Sequence, residues 1–76
     1  MPQGSLVKVK FGDQVYEVGW SLQMRVAEAI QAAQGQGLKL PVRWRWKIGS
    51  VSGMQGQTRN YVNLGDTIEI SSMEIL

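Results

Sequence analysis

The 76-residue sequence contains neither cysteine nor histidine. Without cysteine there are no disulfides, no thiol redox chemistry and no cysteinyl ligands for an iron–sulfur cluster. Without histidine as well, the usual ligand sets of zinc are missing, and so are Ser-His and Cys-His catalytic pairs. We therefore expect a protein without cofactor, metal site or enzymatic activity.

Long apolar segments are also absent. No run of apolar residues approaches the roughly 18–20 that span a membrane, and residues 1–5 lack the charged and apolar regions of a signal peptide. We expect a cytoplasmic protein with no membrane partner. A hydrophobic fraction of 43% with 18% charged residues is typical of a globular chain, and the length predicts a single domain over residues 1–76 with a flexible N-terminus at 1–5.

The first half of the chain predicts a β-hairpin. Residues 6–11 and 14–19 both alternate between apolar and polar side chains, which is typical of strands that bury one face. Gly12-Asp13 lies between them, and glycine supplies the positive φ that tight hairpin turns require. Tyr16 and Val18 are predicted to face the core.

A helical repeat follows the hairpin. Leu22, Val26 and Ala29 begin a series of apolar residues that continues with Ile30 and Ala33 and falls on one face of a helix. Ser21 is the predicted N-cap, without a capping box. The glycines at 35 and 37 end the helix. We predict one helix at about 21–34 that packs on one face of the sheet.

The stretch 40–48 is the most regular in the sequence. Apolar residues, including Trp44 and Trp46, occupy the even positions from 40 to 48, while cationic residues occupy 43, 45 and 47. A strand here places both tryptophans in the core and the cations in solvent. Pro41 lies at a polar position, so the strand either begins near it or exposes that edge to solvent.

The segment 49–60 is rich in glycine and poor in apolar residues. It lacks the Gly-Lys-Ser/Thr sequence of a phosphate-binding loop. We predict a long surface loop, which has room for a short hairpin. If the loop binds a partner, Arg59 and Tyr61 are its predicted anchors.

The end of the chain predicts one more strand. Gly65-Asp66 is typical of a turn, and in residues 67–70 Ile68 and Ile70 are predicted to face the core. The tail 73–76 is largely apolar. It either extends this strand or pairs with a second chain, which would produce a homo-oligomer through a strand edge or through the tail.

The predicted order of elements is strand, strand, helix, strand, loop, strand. With Leu64-Gly65-Asp66-Thr67-Ile68-Glu69-Ile70, this order resembles the ubiquitin-like β-grasp superfamily, in particular the turn and last strand of its sulfur-carrier and TGS branches. The resemblance implies an α+β fold: a single β-grasp domain with a mixed sheet of four or five strands and one helix. A small Greek-key barrel is the architectural alternative.

The sulfur-carrier branch ends in Gly-Gly, whereas this sequence ends in Met73-Glu74-Ile75-Leu76. We therefore expect no sulfur transfer or conjugation. A degenerate, sulfur-carrier-like protein is kept as an alternative.

The alternation predicts a basic surface on the sheet face opposite the helix. Five of the eight cationic residues fall there: Lys8, Lys10, Arg43, Arg45 and Lys47. Glu17 and Glu69 fall on the same face, and a cross-strand pair such as Arg45 with Glu69 would neutralise part of the charge. Such a face is either merely solvated or a binding surface.

Two functions are compatible with this surface. The first is a small, non-catalytic interaction module or accessory subunit that binds an acidic protein partner through the basic face or an exposed strand edge. The second is a nucleic-acid-binding module that uses the same cations. Because Trp44 and Trp46 are predicted to point into the core, the face lacks aromatic residues for base stacking.

Overall fold

A computed structural model of the chain describes residues 6–73, which form five strands and one helix. The elements are β1 (Leu6–Phe11), β2 (Gln14–Gly19), α1 (Val26–Gly35), β3 (Trp44–Ile48), β4 (Val51–Met54) and β5 (Thr67–Ser72). The fold is α+β, as predicted. The predictions for residues 1–5 and for the end of the tail, 74–76, lie outside the described residues.

The strands form one mixed sheet in the order β2-β1-β5-β3-β4. The central strands β1 and β5 are parallel, and every other neighbouring pair is antiparallel. The predicted hairpin is confirmed: Phe11 lies opposite Gln14, and Gly12 has a φ of 58° in the turn between them.

The helix begins five residues later than Ser21, the predicted N-cap. Residues 21–24 form a turn instead, in which the Met24 N–H donates to the Ser21 carbonyl (3.1 Å) and Gln23 has a φ of 64°. Leu22 is consequently 83% exposed, whereas Met24 is buried. The spacing predicted Leu22 as a core residue, and that prediction is wrong because the turn breaks the helical repeat.

Arg25 is the N-cap, with the extended conformation φ −106°, ψ 162°. The Glu28 carboxylate accepts a hydrogen bond from the Arg25 backbone N–H (3.0 Å), which is the half of a capping box that the acidic residue provides. The next two helical N–H groups, of Val26 and Ala27, donate to the carbonyls of Asn60 and Thr58. The helix start therefore depends on a distant segment of the chain.

The helix ends where the glycines predict it. The Leu38 N–H donates to the Ala33 carbonyl and the Gly37 N–H to the Gln34 carbonyl, both at 3.1 Å. These are the two hydrogen bonds of a Schellman motif, and Gly37 has the positive φ (118°) that this motif requires.

Strand β3 is shorter than the predicted 40–48. It begins at Trp44, which pairs with Ser72 at the end of β5, and the Met73 N–H donates to the Arg43 carbonyl just before it. Val42 is 82% exposed, so its predicted core position is wrong. Proline at 41 lacks the N–H of a ladder, and the strand starts after it.

The predicted loop 49–60 is wrong for residues 51–54, which form β4. Gly49, with a φ of 57°, turns the chain, and Val51 pairs with Ile48. This is the short hairpin for which the glycine-rich segment had room. Residues 55–60, the rest of the predicted loop, do lie outside the strands and the helix.

One cluster of buried side chains lies between the helix and the sheet. Trp46 is 1% exposed and Ile68 is fully buried, while Trp44 closes the cluster beside the helix. Trp20 packs at the edge of this core and donates its indole N–H to the Val62 carbonyl (2.7 Å). The inward positions predicted for both tryptophans of β3, and for Ile68 and Ile70, are confirmed.

Candidate functional site

The sheet face opposite the helix carries the candidate site. Along β1, β3 and β5 its side chains alternate with the buried residues. We call this surface the basic face; its polar side chains are Lys8, Lys10, Glu17, Arg45, Lys47, Ser52, Thr67, Glu69 and Ser71. Four of the five predicted cations are thus placed on one face by strand alternation and register.

Glu69 lies in the middle of this face. The register places it opposite Lys10 on β1 and opposite Lys47 on β3. Directly opposed side chains on one face have Cβ atoms about 4.5–5.5 Å apart, so the Glu69 carboxylate is a near neighbour of two lysines, although no ion pair joins them among residues 6–73. Glu69 thus lies on the sheet face that the alternation predicted for it.

Lys8 has a carboxylate beside it as well. It lies opposite Glu17 on β2 and opposite Thr67 on β5. The three lysines of the basic face therefore each have a glutamate as a cross-strand neighbour, which lowers the positive potential around them.

Arg45 is the exception. The register places it between Ser71 on β5 and Met54 on β4, and neither neighbour is charged. The suggested pairing of Arg45 with Glu69 is wrong, because Glu69 lies opposite Lys47 and only diagonal to Arg45. Arg45 is thus the one of the four cations in strands β1 and β3 that has no directly opposed carboxylate.

Arg43 does not lie in a strand. It is exposed and immediately precedes β3, and its carbonyl accepts a hydrogen bond from the Met73 N–H (3.0 Å). This hydrogen bond holds the Arg43 backbone at the end of β5. In the sequence, Arg43 lies two residues before Arg45. We therefore place it at the margin of the basic face.

Arg59 and Tyr61, the predicted anchors of the loop, lie outside the five strands. Both are exposed, and Tyr61 stacks against Arg25: the guanidinium carbon is 5.1 Å from the ring centroid, and the Arg25 Nη2 donates to the Tyr61 hydroxyl (3.3 Å). An internal cation thus already covers the tyrosine ring. Tyr61 lines a cleft together with Thr67 and Glu69 of β5, whereas Arg59 does not line it.

The loop also closes the helix N-terminus. Carbonyls of Thr58 and Asn60 accept from the N–H groups of Ala27 and Val26 at 3.2 and 2.9 Å. A free helix N-terminus attracts anions through such N–H groups, but here the protein itself supplies the acceptors. The glycine-rich segment is therefore a structural cap for the helix rather than a phosphate cradle.

The two outer edges of the sheet, on β2 and β4, are partly covered by glutamines. The backbone N–H of Met54 donates to the Gln57 side chain and its carbonyl accepts from the Gln57 N–H. On β2, the Gln36 amide donates to the Glu17 carbonyl (2.8 Å). Satisfied main-chain groups cannot pair with an added strand, which disfavours edge pairing at these positions.

Sequence reasoning missed three neighbours of Arg45 and Lys47. Ser52 and Met54 belong to β4, which lay within the predicted loop, and Ser71 lies beyond the predicted end of β5. Alternation at 51–54 is obscured by Gly53, so only the pairing with β3 reveals which side chains join the face.

Across residues 6–73, no helix is long and apolar enough to span a membrane, and no three acidic side chains are grouped as metal ligands. Comparisons of the chain with protein families, with curated proteins and with solved structures found no match.

Proposed function

We propose that this chain is a β-grasp, ubiquitin-like domain that acts as a non-catalytic interaction module or accessory subunit and binds an acidic partner protein. The strand order β2-β1-β5-β3-β4, with β1 parallel to β5 and one helix packed across the sheet, supports the β-grasp assignment. The turn Gly65-Asp66 before β5, with a φ of 87° at Gly65, is in keeping with the resemblance seen in the sequence.

The distribution of charge carries this proposal. Five cations, counting Arg43, and two carboxylates leave the basic face with a net charge of +3, although the whole chain has only +2. The rest of the molecule is therefore slightly acidic. A face with a net positive charge on a chain of low net charge orients an approaching partner, and its complement is an acidic protein surface.

The basic face is a better interface than a strand edge. Its cations are exposed, whereas Gln36 and Gln57 occupy main-chain groups at the edges of β2 and β4. Nucleic acid is the second candidate, because phosphates pair with the same cations. The inward orientation of Trp44 and Trp46 removes the stacking platform that binding of single strands normally uses.

The test uses ¹⁵N-labelled protein and NMR titration at low salt. The probes are a synthetic Glu-rich peptide and, separately, single- and double-stranded DNA and RNA. We expect the peptide to shift the amide signals of β1, β3 and β5. If the alternative is right, the protein binds DNA or RNA instead of the peptide. The logarithm of the association constant then falls with the logarithm of the salt concentration, with a slope of about −0.7 to −0.9 per phosphate contact.

Charge reversal locates the interface. Arg45→Glu with Lys47→Glu is expected to abolish peptide binding, because it converts the centre of the basic face to an acidic one. The matched control is Lys39→Glu with Arg59→Glu, which makes the same change in net charge at exposed residues outside the sheet. Equal losses in both variants would contradict the proposal.

A further inference from the structure

We propose that Arg45 and Ser71 form an oxyanion-binding subsite within the basic face, which receives an acidic group of the partner while Met54 contacts an apolar group beside it. This inference rests on the proposed function, since it names the part of the basic face that recognises the partner. It goes further by distinguishing one cation from the others.

A cleft of about 420 Å³ marks this place on the sheet. It lies along β3, between β4 on one side and β5 on the other. Its lining residues are Arg45, Trp46, Lys47, Ser52, Glu69 and Ser71. Two cations and two hydroxyls therefore surround a concavity that has a single carboxylate at one end.

The register assigns different roles to the two cations of the cleft. Lys47 lies opposite Glu69; the two form no ion pair among residues 6–73, but the carboxylate is a direct cross-strand neighbour that lowers the positive potential there. Arg45 lies opposite Ser71, and among the same residues neither of these two side chains forms a hydrogen bond or ion pair. An anion that binds at Arg45 therefore meets no directly opposed carboxylate.

Arginine and serine together suit an oxyanion. The guanidinium offers two parallel N–H donors to a carboxylate or phosphate, and a hydroxyl next to it donates a further hydrogen bond. Glu69, diagonal to Arg45, confines the anion to the Ser71 end of the cleft by repulsion.

Met54 gives the subsite an apolar side. It lies opposite Arg45 on β4 and is 46% exposed. A flexible thioether side chain adapts to varied apolar partners. The ligand that fits is a peptide segment with an acidic residue next to a bulky apolar one. The oxyanion that we assign to the subsite is the carboxylate of Glu or Asp, in agreement with the acidic partner proposed above.

The experiment measures binding of three short peptides that differ at one position before a leucine: Glu, phosphoserine or Gln. The wild type is expected to bind the Glu peptide and to lose affinity for the Gln peptide. Binding of the phosphoserine peptide without binding of the Glu peptide would overturn the assignment of a carboxylate. Equal affinity for all three would overturn the subsite.

Matched variants separate the subsite from general attraction. Arg45→Gln and Lys47→Gln remove the same charge from the same strand and face. We expect about a tenfold loss of affinity for Arg45→Gln, as for a charge-assisted bidentate contact, and about a twofold loss for Lys47→Gln. Arg45→Lys keeps the charge and is expected to lose affinity several-fold, because lysine lacks the two parallel N–H donors of the guanidinium group.

The outcomes separate the two proposals. If the wild type binds the acidic peptides but both Gln variants weaken binding equally, the subsite is wrong while the basic face stands as the interface. If the wild type binds no acidic peptide at low salt, both proposals are overturned. Unfolding curves of each variant show whether a loss of affinity comes from misfolding. Among the variants at position 45, Arg45→Lys changes the side chain least.

Discussion

Gly53 lies directly against the indole of Trp46, its partner across the β3–β4 ladder. A Cβ atom at position 53 would be 2.5 Å from the Cζ2 atom of that ring, closer than any van der Waals contact. Trp46 is 1% exposed and donates its indole N–H to the Gln57 carbonyl (2.9 Å), so the ring cannot move away without losing this bond. The pair sets how closely β4 approaches the core.

We expect Gly53→Ala to destabilise the protein by about 1–3 kcal/mol, the usual cost of overpacking a filled site. Urea unfolding followed by tryptophan fluorescence measures the change. Gly56→Ala is the matched control, because a Cβ there meets nothing within 4 Å. A Gly53→Ala protein as stable as the control would show that Trp46 has room to shift.

Because the helix starts late, substitutions at Leu22 and Met24 are expected to change the free energy of unfolding by very different amounts. Leu22 is 83% exposed and Met24 only 6%. Leu22→Ala is therefore expected to change the free energy of unfolding by less than about 0.5 kcal/mol, while Met24→Ala costs about 2–5 kcal/mol through loss of burial and a cavity. A larger loss for Leu22→Ala would support a helix that begins at Ser21.

Gln23 is the one non-glycine residue with a positive φ among residues 6–73. The left-handed region costs an L-residue roughly 1–2 kcal/mol, and glycine avoids this cost at the expense of more chain entropy. We expect Gln23→Gly to stabilise the protein by about 0.5–1 kcal/mol. The melting temperature measures the gain, and Gln23→Ala, which keeps the Cβ, should show none.

Glu69 limits the charge of the basic face, because it lies between Lys10 and Lys47. Glu69→Gln is expected to raise the affinity for an acidic peptide about two- to threefold at low salt, and the gain should shrink as ionic strength increases. The control is Asp13→Asn, which likewise removes one negative charge but in the exposed turn after β1. Equal gains would mean that only net charge matters.

Local patterns were sufficient for much of this fold. The alternation in 6–11, 14–19 and 67–70 identified three strands, and the glycines near 35 identified the end of the helix, because these features depend on neighbouring residues. The cationic face was also predictable, since alternation alone places Lys8, Lys10, Arg45 and Lys47 on one side.

The remaining features depend on contacts that are distant in sequence. The helix starts at Val26 because carbonyls of residues 58 and 60 accept its first N–H groups. Strand β4 exists because Gly53 allows it to approach Trp46. Neither contact leaves a periodic signal in the local sequence.

The sequence by itself determined the pattern of buried and exposed residues, and with it the α+β class and the sign of the charge on the open sheet face. Only the tertiary structure decided which charges are neutralised. The physical reason is register: a strand's own sequence sets the face of each side chain, but the neighbouring strands decide that Lys47 lies beside Glu69 and Arg45 beside Ser71.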